Sequence, residues 1–96
     1  MEMKKLLEFI KKEDERLKEK HNNYEKEEKR TLGRAIKLTD ELGELCESIV
    51  SENSSEEVSD KFSNVIITTL LLAKSKDIDI EKSLEKKMEE IDKTDE

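Results

Sequence analysis

The chain has no proline and no tryptophan, and only two glycines, one cysteine and three aromatic residues. With so little glycine and no proline, tight turns and the strands they join have little to work with. The abundant Leu, Ile, Lys and Glu favour helix, so an all-α chain is expected. A lone cysteine excludes an internal disulfide and a thiolate zinc site. Cys46 falls on an apolar helical face, where a small core residue is expected. Long apolar runs are missing too: "LLEFI" at 6–10 is too short for a membrane span or the apolar part of a signal peptide. A cytoplasmic protein with no membrane partner is expected.

Residues 1–96 read as a single small domain, 32% hydrophobic and 47% charged. A domain of this size buries only about 60 to 65% of the surface its unfolded chain exposes, so a partner chain is expected to complete the core. The net charge of −7 is uneven. Residues 1–37 carry 12 Lys/Arg against 9 Asp/Glu, and residues 38–96 carry 7 against 17. The acidic half argues against duplex nucleic acid. If such a protein handles phosphates, a divalent cation or well-placed lysines must offset the repulsion.

Apolar spacing predicts four helices. The first covers about Lys4–Lys20, with Leu6, Phe9, Ile10 and Leu17 on one side, and "HNNY" breaks it. His21 in that break reads as a solvated loop residue or helix-end partner rather than a ligand. The second covers roughly Thr31–Val50, where Leu32, Ala35, Ile36, Thr39, Leu42, Gly43, Cys46, Ile49 and Val50 recur at three- and four-residue steps. With Leu38 and Leu45 its apolar arc spans half the circumference, more than a surface helix needs. Gly43 inside it predicts close packing against another helix.

Ser54 and Glu57 have capping-box spacing and open the third helix. Its "VIITTLLLA" at 65–73 is apolar nearly all round and predicts burial on every side. One polar stripe, Glu57, Lys61, Asn64 and Thr68, runs along a single face. Asp77 or Asp79 caps the fourth helix, on which Ile80, Leu84, Met88 and Ile91 form a stripe with Met88 as core filler, before a fraying tail "DKTDE".

Glu41 and Glu44 share a face one turn apart, at the edge of the apolar arc of the second helix. Two such carboxylates facing another acidic pair are a way to hold Mg²⁺, which can grip nucleotide phosphates and activate water. Alone, Glu-x-x-Glu is common in charged helices. Here "LTDELGEL" at 38–45, "FSNVIITTLLLAKS" at 62–75 and "DIDIEKSLEKKMEEI" at 77–91 follow in order. Together, over roughly residues 30–93, the chain resembles the MazG-type all-α nucleotide pyrophosphohydrolases.

That resemblance implies a four-helix MazG-like bundle completed by oligomerisation as a homodimer or homotetramer. It also implies Mg²⁺- or Mn²⁺-dependent cleavage of nucleoside triphosphates to monophosphate and pyrophosphate. The family pattern is Glu-x-x-Glu, a spacer, then Glu-x-x-Asp, the four carboxylates being metal ligands. Glu41 and Glu44 match the first half. Where the second half belongs, directly before the apolar run, this chain has Lys61 and Asn64.

A lysine ammonium has only donors and cannot ligate a metal, and the asparagine carbonyl is a neutral, weaker ligand. Lys61 is placed instead to pair with Glu41 or Glu44 where the cation would lie. A rival alignment uses Glu57 and Asp60 as the second pair but displaces the third helix by one turn, about 5 to 6 Å. Lys87 stands where the family often has a lysine near phosphates, and Glu90 replaces a second basic residue. No catalytic base stands out. Three readings follow: an active pyrophosphohydrolase, a pseudoenzyme of the same fold that needs no cofactor and serves as a nucleotide-binding or interaction module, and an unrelated helical or coiled-coil protein.

Overall fold

A computed structural model describes residues 1–20 and 26–94 of the chain. All of its regular structure is helical: α1 (Met3–Lys20), α2 (Glu27–Val50), α3 (Ser55–Ser75) and α4 (Ile80–Thr94). The "HNNY" break with His21, and the last two residues of the tail, lie outside the described residues. Helix α2 begins at Glu27, four residues before the periodic apolar pattern does. Glu27 and Glu28 occupy its first turn, where negative charge favours a helix N-terminus. A polar first turn leaves no mark in apolar periodicity.

The chain ends its helices without proline or glycine. After α2, Asn53 N donates to Ser48 O at 3.1 Å and Glu52 N to Ile49 O at 3.1 Å, with Glu52 at φ 56°. After α3, Ile78 N donates to Ala73 O and Asp77 N to Lys74 O, both at 3.1 Å, with Asp77 at φ 52°. Both are Schellman closures in which a left-handed residue that is normally glycine is acidic instead, at about 1 to 2 kcal/mol each. Ser54 then accepts from Glu57 N at 3.2 Å, and Asp79 Oδ1 accepts from Lys82 N at 3.1 Å. Asp79 therefore caps α4, while Asp77 forms the preceding turn.

The short turn at 51–54 returns α3 antiparallel to α2, and α1 packs on α3. The apolar core is small: Ile10, Leu70 and Leu71 pack together with Leu6, Leu17, Ile67 and Ile80 around them, and Leu45 is buried separately. Several sequence expectations fail for the single chain. Cys46 is exposed. A Cβ added at Gly43 would meet nothing within 4 Å, so no helix of this chain explains the glycine. Helix α3 is not enclosed, because Phe62 and Ile66 are about half exposed, and Met88 at 63% exposure fills no core. Apolar periodicity marks faces that avoid water and leaves open whether the same chain covers them. No helix among the described residues is long and apolar enough to cross a membrane.

A buried polar tie joins three helices. Arg34, on α2, is 7% exposed and Asp14, on α1, is 2% exposed. Arg34 Nη1 donates to Leu71 O at 2.9 Å and to Ser75 Oγ at 2.7 Å, both on α3. With both its protons directed there, Nη1 meets Asp14 Oδ1 at 2.7 Å as an ion-pair contact. Lys18 Nζ lies 3.0 Å from the other carboxylate oxygen.

Burial alone would push the Asp14 carboxyl up. The contacts with Arg34 and Lys18 outweigh it and hold the group below its ordinary 3.8. Because the folded value lies below the unfolded one, this stabilisation is complete above 3.8 and disappears as pH falls through the folded value. Thermal midpoints from circular dichroism should therefore drop more steeply below 3.8 for the native chain than for Asp14→Asn. Equal slopes would show that Asp14 carries no linkage.

Candidate functional site

Helices α2 and α3 bring the two halves of the polar cluster together. Residues 34, 38, 41, 45 and 48 step by four and three along α2 and turn toward its own chain: Arg34, Leu45 and Ser48 are buried, Leu38 and Glu41 half-buried. Along α3, Lys61 and Asn64 are half-buried and Thr68 is buried, while Glu57 at the start of the same stripe is exposed. The antiparallel pairing sets Lys61 beside the glutamates, with its Nζ 3.5 Å from Glu44 Oε2. The Lys61 side chain is 34% exposed and that of Glu44 56%. Such a partly solvated pair contributes about 0 to 1 kcal/mol. Its importance is therefore positional: a positive charge on α3 stands beside the carboxylate of Glu44 on α2.

Glu41 sits one turn back on α2. Its Oε1 is out of contact with water and has no hydrogen-bond partner among the described residues. An unpaired buried acceptor costs about 1 to 3 kcal/mol. Glu57 and Asp60 are both exposed and line a recess at the start of α3 together with Lys61 and Asn53, a lining that includes neither Glu41 nor Glu44. Lys87 is distant in character as well, since its Nζ is 2.8 Å from Glu90 Oε2 on its own helix. Residues 82–94 are all exposed.

The formal charges of Glu41, Glu44 and Lys61 sum to about −1, against about −4 for four carboxylates. Asn64 adds one neutral carbonyl and no charge. Among the described residues, no three His, Cys, Asp or Glu side chains come close enough together to hold a metal ion.

Sequence reading passed over Asp14 and Arg34, which form the most buried polar contact described. A signal existed in the spacing. Asp14 stands four residues after Ile10 and three before Leu17, inside the apolar stripe of α1, and Arg34 stands four before Leu38. Opposite charges that interrupt two apolar stripes are candidates for a buried pair. Compared with family models, curated proteins and solved structures, the chain matches none of them.

Proposed function

We propose that the chain is a MazG-like helical protein whose metal-dependent pyrophosphohydrolase site has been replaced by an ion pair, leaving a non-catalytic interaction module. The observation carrying this reading is Lys61 Nζ at 3.5 Å from Glu44 Oε2, on the helix turn where the family pattern has a ligand carboxylate. The side chains as arranged do not fit a divalent cation. A cation entering between Glu41 and Glu44 would meet an ammonium with no lone pair to offer, and Asn64 supplies a single neutral oxygen. Mg²⁺ in particular surrenders its water shell reluctantly and needs strong anionic ligands in return.

Loss of the cation removes the group that would bridge a triphosphate to an acidic surface. The remaining carboxylates would repel it. What remains is the helical scaffold, with its polar seam closed by Lys61.

The test is pyrophosphate release from a panel of nucleoside triphosphates with Mg²⁺ or Mn²⁺. No turnover above a blank is expected from the native chain. Turnover that disappears in Glu41→Gln or Glu44→Gln would overturn the proposal. Turnover abolished instead by Glu57→Gln or Asp60→Asn would also overturn it, and would move the site to the recess at the start of α3.

A further inference from the structure

Helix α2 has a second face. Leu32, Ile36, Thr39, Gly43, Cys46 and Val50 step by four, three, four, three and four, and every one of them is exposed. This is a heptad seam over almost three heptads. It is offset by two residues from the seam that meets α3, about 200° around the helix, so it lies on the opposite side. Leu42 and Ile49, 44% and 51% exposed, widen it.

The size of the molecule calls for a cover. A folded chain of 11.2 kDa exposes about 5,700 Å² when it is self-sufficient. This one exposes 7828 Å², an excess of about 2,100 Å² over that scaling. Its radius of gyration is 15.6 Å, against about 12.5 Å for a compact domain of this length. The excess is more than twice the ~800 Å² that each partner contributes to a standard specific interface.

We propose that the outer face of α2 is the interface of a homodimer in which the two α2 helices pack antiparallel about a two-fold axis level with Glu41. That axis sets Leu32 against Val50, Ile36 against Cys46 and Thr39 against Gly43 of the second copy. Every layer then joins the two core positions of the heptad, as an antiparallel seam does, and opposes a larger residue to a smaller one. The helices approach closest at Gly43, which accounts for a glycine that nothing among the described residues of its own chain explains. A parallel seam would set Gly43 on Gly43 and leave a void. One flank of the antiparallel seam is apolar through Leu42, and the other repeats Asp40 across the axis, so salt should tighten the dimer. The interface does not depend on whether Lys61 replaces a metal.

Sedimentation of the full chain should give twice 11.2 kDa. Ile36→Lys, at a side chain 55% exposed in the single chain, should keep its helical circular dichroism. It should weaken the dimer about a hundredfold or more, a factor of ten for each buried lysine. A disulfide trap tests the register without relying on that variant. Ile36→Cys should form an intermolecular disulfide with native Cys46 on oxidation. The native chain should not crosslink, because its two Cys46 residues stand ten residues apart along the seam, about 15 Å and beyond disulfide reach. A monomeric native chain, a Cys46–Cys46 disulfide, a dimer lacking the Ile36→Cys crosslink, or a dimer indifferent to Ile36→Lys would each overturn the proposal.

Discussion

Arg34→Ala should remove most of the protein's stability and move its urea unfolding midpoint far below that of the native chain. Removing one partner of a buried pair costs about 3 to 5 kcal/mol, because the other charge stays buried without compensation. Here that charge is Asp14, 2% exposed. Lys18 at 3.0 Å retains part of its compensation, which places the loss near the lower end. The guanidinium also supplies both donors that reach Leu71 O and Ser75 Oγ, so the tie between α1, α2 and α3 goes with it.

A domain of 96 residues has a stability of about 5 to 14 kcal/mol. With only Ile10, Leu45, Leu70 and Leu71 as buried apolar side chains among the described residues, this one belongs near the bottom of that range. A loss of about 3 kcal/mol is then most of the total. Replacing both partners by apolar residues, Asp14→Leu with Arg34→Met, removes the desolvation along with the attraction and should restore stability to the native level or above it. Urea unfolding at one fixed protein concentration measures all three chains, because dimerisation would otherwise shift the midpoint. If Arg34→Ala stays within about 1 kcal/mol of the native chain, the buried pair is not the structural tie described above.

The second large effect is a gain. Lys61→Glu combined with Asn64→Asp turns a cluster of about −1 into one of about −4. Without a divalent cation this variant should be less stable than the native chain, because four carboxylates on facing turns of α2 and α3 repel one another. With Mn²⁺ or Mg²⁺ at a hundred times its dissociation constant, stability should rise by about 2.7 kcal/mol. For a chain of this length that is roughly 10 to 20 °C in the thermal midpoint. The native chain should show no such shift, its ammonium standing 3.5 Å from Glu44 Oε2. Calorimetry with and without the metal reads the difference directly. A metal-dependent rise in the native chain, or none in the double variant, would contradict the idea that Lys61 and Asn64 took the place of two ligands.

The helices and their stops were legible locally. Ser54 with Glu57 marked the start of α3, and Asp79 was one of two candidates to cap α4. The acidic left-handed residues Glu52 and Asp77 were not legible, because nothing in their side chains announces a conformation that glycine usually takes. The polar stripe on α3 was visible in the spacing of Lys61, Asn64 and Thr68, as was the pair Glu41 and Glu44. Their meeting required knowing that α3 turns back antiparallel against one chosen face of α2. Cys46, Gly43 and Met88 were assigned to a core by the same periodicity that correctly placed Leu45, and in the single chain all three remain outside it.

The sequence by itself determined that this is an all-helical chain, how its third helix is capped, and which helix faces are apolar, because those properties depend on neighbours three or four positions away. Tertiary structure alone decided which of the two apolar faces of α2 turns inward, and with it that Lys61 stands beside Glu44 while Leu32, Ile36 and Val50 are left exposed. Two seams on opposite sides of one helix have the same period, and the one without a charged residue, Leu32 to Val50, is the one left outside. Only the residues that α3 and α1 bring against them, above all Leu71, Ser75 and Asp14 around Arg34, make one of them the inside.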